Sequence, residues 1–323
     1  MHRLPPDPAS FKKLLAEGWR PACPGVCASA AAPLDPKHFA GTGGTQWSEP
    51  LTLADMCAAV SAAKASQTPY RIVAGNTGHG VYADDEATLF LNATKIPQLS
   101  LKSGGTGGAI TVGATTSINT LIDMLSTAPP SETGGITTHE VLAKHLGKVA
   151  NNQVRNVGSW AGNLALCHAH PTFQSDIATI MTAAGASIQL ADAKGALSTH
   201  TLTEFYAMAP ADVVMIVSLT VPAASTGLLR TYKVMRRHQN AHAVVNAGFD
   251  FPSTSVSMPT ADSGDGEARL VVTAAPVLVW GGLMPYPTRA TKTEAMLVGK
   301  NLANQATLKL ALSSLEAEFV DIT

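Results

Sequence analysis

Arg71-Ile72-Val73-Ala74-Gly75-Asn76-Thr77-Gly78-His79-Gly80-Val81-Tyr82 is the stretch around which this 323-residue chain is organised. Ile72, Val73 and Ala74 read as a short buried strand that runs into a loop of small residues. Gly75, Gly78 and Gly80 permit positive φ and let a ligand approach the backbone closely. Successive exposed N–H groups in such a loop form a concavity for an anion, and a dinucleotide pyrophosphate would fit. The spacing Gly-x-x-Gly-x-Gly is not that of the Rossmann fingerprint. The next strand candidate begins at Thr88, behind the polar turn Ala83-Asp84-Asp85-Glu86. That is too soon for a helical crossover of about a dozen residues or more, so the loop is expected to join two strands directly. On glycine spacing alone, a ligand cradle and a tight hairpin without ligand both remain open.

A net charge of −1 provides no field for nucleic acid or an acidic membrane surface. The apolar windows are shorter than a membrane span, and residues 1–8 lack an apolar signal core. The expectation by default is a cytoplasmic chain with no nucleic-acid or membrane partner, large enough for two domains. Cys23 and Cys27 have the spacing of a metal clip, but Cys57 and Cys167 form no matching second pair. An iron–sulfur centre needs four thiolates at cluster spacing. Free thiols in a reducing compartment are the simpler reading.

Residues 1–45 read as an irregular linker, with a short helix at 11–17 followed by prolines, an alanine run and Gly41-Thr42-Gly43-Gly44. Beyond it we expect an extended entry at 47–50 and a helix at 53–65 capped by Thr52. A strand at 109–112, a helix capped by Ser117 and a second helix at 139–146 follow. Residues 149–163 lack periodicity and are dense in Asn and Gln, as in a solvated loop or a hydrogen-bonding cradle. Their place between apolar elements favours the cradle. Asp176 is expected to cap a helix at 177–184, followed by a strand at 187–191, a helical turn at 202–208 and a strand at 213–222. Past a boundary near 224, strand candidates at 228–236, 243–251 and 268–279 read as an antiparallel meander. Helices are expected at 290–297 and 302–318.

Five segments, taken in order, carry a resemblance. They are Ile72 to His79, Val154-Arg155-Asn156-Val157-Gly158-Ser159-Trp160-Ala161-Gly162-Asn163, Ser175-Asp176-Ile177-Ala178-Thr179-Ile180, Tyr232-Lys233-Val234-Met235-Arg236-Arg237, and Leu278-Val279-Trp280-Gly281-Gly282-Leu283. Together they resemble the FAD domain of the molybdenum hydroxylases, the xanthine dehydrogenase and aldehyde oxidase family, and are most similar to the plant-type aldehyde oxidases. The resemblance covers residues 47–318, and its specificity lies in the ordered set.

It implies an α+β chain. A PCMH-type FAD-binding fold of two subdomains would occupy 46–224, and a three-stranded antiparallel sheet with helices would occupy 225–323. The chain would stop short of the family's full terminal subdomain and be a stand-alone or truncated module. By resemblance, Ile72, Val73, Ala74, Gly75, Asn76, Thr77, Gly78 and His79 would wrap the pyrophosphate and ribose of a non-covalent FAD. Ser159, Gly162 and Asn163 would add close contacts, and Asp176 would bond a polar edge of the cofactor. Met215 and Ile216 would lie against the flavin, with Lys233 near it. Val149 stands where many members carry an aromatic, and Ala161 replaces a frequent glycine. Read singly, Asp176 is also a helix cap, Lys233 a solvated strand residue and Ile216 plain core. His168 and His170 fall in an insertion and read as exposed loop residues rather than metal ligands.

The resemblance further implies partners that carry iron–sulfur clusters and a molybdenum cofactor, for which this chain has no room, and O2 or NAD as electron acceptor. The flavin would carry the chemistry, with no catalytic side chain. Two alternatives accompany this reading: an independent oxidase with FAD tethered at His79, and an inactive fragment that acts only as a binding module.

Overall fold

A computed structural model of the chain describes residues 37–79, 81–82, 86–127, 136–225, 228–251, 254–257 and 269–320. The helix expected at 11–17 and the pair Cys23 and Cys27 lie outside them. Where irregular linker was expected, β1 (Lys37–Ala40) instead pairs antiparallel with β2 (Gln46–Glu49). α1 (Leu53–Ala65) starts where the Thr52 hydroxyl accepts the Asp55 amide, and it buries Met56, Cys57, Val60 and Ala63. β3 (Tyr70–Val73) and β4 (Leu89–Asn92) complete a sheet of order β1-β2-β4-β3. The glycine loop does join β3 to β4 without a described helix, but the two strands pair in parallel. The hairpin alternative therefore fails. A strand this short spans only about 13 Å, and the loop itself covers the return that a helix makes in longer units.

The second layer is built from capped helices around an antiparallel sheet. β5 (Lys102–Gly104) and β6 (Ile110–Gly113) lead to α2 (Ile118–Ser126), capped by Ser117, and α3 (Thr138–Leu146), capped by Thr137. The amide-rich run at 149–163 is not a loop. Asn151 caps α4 (Asn152–Val157) and Ser159 caps α5 (Trp160–Ala169), each accepting a backbone amide of the first turn. α6 (Asp176–Ala183) is capped by Ser175, not by Asp176, whose side chain is released for other contacts. β7 (Ser187–Ala191), β8 (Leu197–Thr201), α7 (Leu202–Ala207) and β9 (Met215–Val221) follow, giving the order β5-β6-β9-β7-β8.

β10 (Leu228–Met235) and β11 (Ala243–Phe251) begin the third sheet. The single strand expected at 268–279 is two strands in different sheets. After β12 (Thr254–Ser257), β13 (Arg269–Val272) closes a separate antiparallel pair with it. β14 (Val277–Gly281) pairs with β11, and the two-residue β15 (Thr288–Arg289) makes the expected three-stranded sheet four-stranded. α8 (Thr291–Leu297) and α9 (Gln305–Val320) end the described chain.

The α+β class stands as expected. The third sheet lies on α6 through Gly248, where an added Cβ would sit 2.6 Å from the Ala183 methyl. Trp160 is wholly buried and donates its indole N–H to the Gly113 carbonyl at 2.9 Å, tying α5 to β6. Among the described residues, no helix is long and apolar enough to cross a membrane.

Candidate functional site

The β3–β4 loop, the α4–α5 corner, the start of α6, the start of β9 and Lys233 of β10 surround a cavity of about 760 Å³. Ile72, Ala74, Gly75, Asn76, Thr77, Gly78, His79, Val149, Ser159, Gly162, Asn163, Asp176, Met215, Ile216 and Lys233 all line it. Val73 does not line it, although it is buried.

The glycine loop presents bare amides. Among the described residues, the N–H groups of Gly75, Asn76, Thr77 and Gly78 donate to no protein acceptor. Such a row costs free energy if left dry and suits an anion. The glycines serve differently from the expectation. Gly75 and Gly78 do not take positive φ; Asn76 does, at 51°. Gly75 is needed for close approach, because a Cβ there would run into the Val157 carbonyl at the end of α4. In return, a Cβ on Gly158 would stand 3.0 Å from the Thr77 hydroxyl. The two amide-rich regions are thus locked backbone to backbone. Ala161, the departure from glycine, sits inside α5 and is not crowded into positive φ. Ala150 does take φ of 51°, and its carbonyl accepts the Asn240 amide at 3.1 Å, which fixes one rim of the cavity.

The same cavity is lined by a buried polar cluster. The Lys233 ammonium lies 2.7 Å from Asp176 Oδ2, and the two side chains are 1% and 6% exposed. Asp176 Oδ1 accepts from Asn246 at 3.0 Å and faces His145 Nε2 at 3.5 Å. Burial alone would raise the Asp176 pKa. The His145 hydrogen bond and the Lys233 charge outweigh it and hold the carboxyl below its usual range. Asp176 is therefore not a plain cap, and Lys233 is not a solvated strand residue. Lys233 also donates to the Lys148 carbonyl at 3.0 Å. An ammonium has three N–H groups, so one is left for a ligand in the cavity that Lys233 lines.

An aromatic wall escaped the motifs. Tyr82 stacks on His170 at 4.5 Å between ring centres, and Phe173 meets His242 edge-on at 5.0 Å. All four line the cavity. Burial, then the nearby Lys233, lowers the His242 pKa. His168 is also not an exposed loop residue. It is buried on α5, its Nε2 lies 2.8 Å from the Met208 carbonyl, and burial lowers its pKa. Position in the chain was the available signal: Tyr82 closes the glycine stretch, and Phe173 directly precedes Gln174-Ser175-Asp176. Among the described residues, no three His, Cys, Asp or Glu side chains gather as a metal site.

Bare amides, aliphatic side chains and a buried ion pair around one cavity suit a large ligand, anionic in part and apolar in part. Residues 41–224 match the family described as the FAD binding domain in molybdopterin dehydrogenase, and residues 230–322 match the CO dehydrogenase flavoprotein C-terminal domain. The chain belongs to this FAD-binding oxidoreductase family. It is 30% identical to probable aldehyde oxidase 4 of Oryza sativa subsp. japonica, over 81% of this chain and 32% of that one. It is 28% identical to an indole-3-acetaldehyde oxidase of Arabidopsis thaliana, over 85% of this chain and 20% of that one. The chain thus spans between a fifth and a third of the length of these relatives.

Among solved structures, carbon monoxide dehydrogenase from Hydrogenophaga pseudoflava matches with a TM-score of 0.62 at 19% identity, covering 88% of each chain. Quinoline 2-oxidoreductase from Pseudomonas putida 86 matches with 0.59 at 20% identity, covering 82% of this chain and 83% of that one. These likenesses show the shared fold. FAD is the family's cofactor, and the residues present fit it: free donors for phosphate oxygens, apolar walls for a ring system and a fixed cation beside them.

Proposed function

We propose that this chain is the FAD-holding module of a molybdenum hydroxylase of the aldehyde oxidase or carbon monoxide dehydrogenase type. Its electrons would come from iron–sulfur domains or subunits associated with the molybdenum cofactor and go to O2 or NAD. The division into 46–224 and 225–323 belongs to the same reading. The carrying observation is that the bare amides of Gly75 to Gly78 share one cavity with Met215, Ile216 and the Asp176–Lys233 pair.

FAD, when bound, supplies the redox chemistry. The chain supplies position and surroundings. The loop amides receive the diphosphate oxygens, with Ser159, Gly162 and Asn163 contributing the facing turn. Ile72, Val149, Met215 and Ile216 exclude water from the ring system. Lys233, held by Asp176, brings a fixed positive charge to the polar edge.

The test is the absorption spectrum of the purified chain before and after addition of FAD, then with NADH under anaerobic conditions. Flavin bands that co-purify, or that reappear on reconstitution, are expected. Bleaching by NADH would identify the NAD couple as acceptor. A colourless chain that takes up no added FAD would overturn the reading.

A further inference from the structure

We propose that Tyr82, His170, Phe173 and His242 form one stacking wall for the isoalloxazine half of the ligand, with no share in holding its adenine half. The rings come from three separate segments and meet in series. Tyr82 and His170 stack at 4.5 Å with their planes 27° apart. Phe173 stands edge-on to Tyr82 at 6.2 Å and to His242 at 5.0 Å. Of the four, only Phe173 is buried; Tyr82 and His170 are half-buried and His242 is exposed. A wall that served packing alone would be closed over like Phe205, which lines the same cavity and is wholly buried. Ring surface left open in a cavity favours a planar partner, because aromatic pairs gain more than their buried area alone provides.

Position along the wall selects the half. Met235 pairs with Ala243 at the end of the β10–β11 ladder that carries Lys233, so His242 stands directly before that ladder. The charges of Lys233 and Asp176 both act on its ring. Burial, then Lys233, lowers the His242 pKa, so the ring is uncharged at neutral pH and can stack as an apolar surface. Phe173 lies two residues before Ser175, the cap of the helix that begins with Asp176. The Phe173–His242 end of the wall therefore adjoins the ion pair. A fixed ammonium suits a ring rimmed by carbonyl oxygens whose reduced form is anionic. The isoalloxazine is such a ring, whereas adenine has no carbonyl. Val149 gives the cavity an aliphatic contact where many members of the family carry an aromatic, so ring surface has to come from elsewhere in the lining.

This inference rests on the FAD reading, and the experiment separates the two. The full chain is titrated with FAD and with ADP, which has the adenine and the diphosphate but no flavin. Tyr82→Leu and His242→Leu should each weaken FAD binding about three- to tenfold, the worth of one aromatic pair, and leave ADP binding within about twofold of the parent chain. His242→Phe, which keeps a ring, should restore FAD affinity. In ¹H–¹³C spectra of histidine-labelled chain, FAD should shift the ring signals of His170 and His242 and ADP should leave them in place; the leucine variant assigns the His242 signal. Thermal melts control for folding, and Phe173 is left intact because it is buried. Equal losses for FAD and ADP, FAD affinity unchanged in both leucine variants, or histidine signals that move as far with ADP as with FAD would each overturn the assignment. A parent chain that takes up no FAD would defeat the proposed function and this assignment with it, whereas FAD bound equally by parent and leucine variants defeats the assignment alone.

Discussion

Asp176 stands in the first turn of α6 with Lys233, Asn246 and His145 all turned to its carboxylate. Taking these charges out of water is costly, and the geometry compensates only while both ions remain. Lys233→Met should therefore destabilise the chain by about 3–5 kcal/mol, and adding Asp176→Leu should recover much of that loss. Urea midpoints of the single and double variants measure it; equal loss in both would mean that the pair is not coupled. The pH dependence has a definite sign. The folded Asp176 pKa is depressed, so its contribution is complete above the unfolded carboxyl value of about 3.9 and is lost as pH falls through the folded value. The stability gap between the parent chain and Asp176→Asn should be widest near neutrality and close under acid. At this scale the sequence was half legible. Ser175 and Asp176 are both good caps, and local propensity does not choose between them. Burial chose, because the partner for a carboxylate came from β10 and β11, far along the chain.

The β3–β4 crossover and α4 meet as elements with almost nothing between them. Gly75→Ala would drive a methyl into the Val157 carbonyl, backbone against backbone, with no flexible side chain to yield. The expected outcome is a loss of about 1–3 kcal/mol from overpacking, together with weaker FAD uptake, since the amides of Gly75 to Gly78 move with the loop. Gly78→Ala is the control, because its Cβ would meet Leu166 side-chain carbons at 3.6 and 3.8 Å, an ordinary van der Waals contact. If the two variants melt and bind alike, the interlock has no importance. Element existence was readable where caps announce it: Thr52 and Ser117 start α1 and α2 as expected. β5 and β8 were missed because Lys102-Ser103-Gly104 and Leu197-Ser198-Thr199-His200-Thr201 are mostly polar and exposed, so no alternation marks them. The 149–163 run was legible only in part: Asn151 spends its oxygen on a helix start and Asn119 binds Asn152 and Asn156, whereas Val149, Ser159, Gly162 and Asn163 line the cavity.

Across the whole molecule, the cavity is not the property of either half of the chain. Lys233, Asn240, Ala241 and His242 line it together with residues before 224, and Asn246 reaches back to Asp176 and Thr179. No local pattern announces which sheet docks on α6. Small residues at the contact, Gly248 against Ala183, make sense only once the partner is known. Because the cavity lining is drawn from both sides, binding and folding should be linked over the entire described chain. FAD at about a hundredfold above its Kd should add about 2.7 kcal/mol. For a chain of this size that corresponds to a Tm rise of roughly 4 °C. A fragment ending at residue 224 would strip Asp176 of Lys233 and Asn246, deprive Thr179 of its acceptor on Asn246 and uncover the face of α6 on which the third sheet lies. It should melt well below the intact chain and show no FAD-induced rise. Lys233→Met in the intact chain separates loss of the ion pair from loss of the sheet, and should keep part of the rise. A fragment that binds FAD with the full thermal shift would mean that the C-terminal sheet is a bystander, and that the pairing of Asp176 with Lys233 has no part in holding the cofactor.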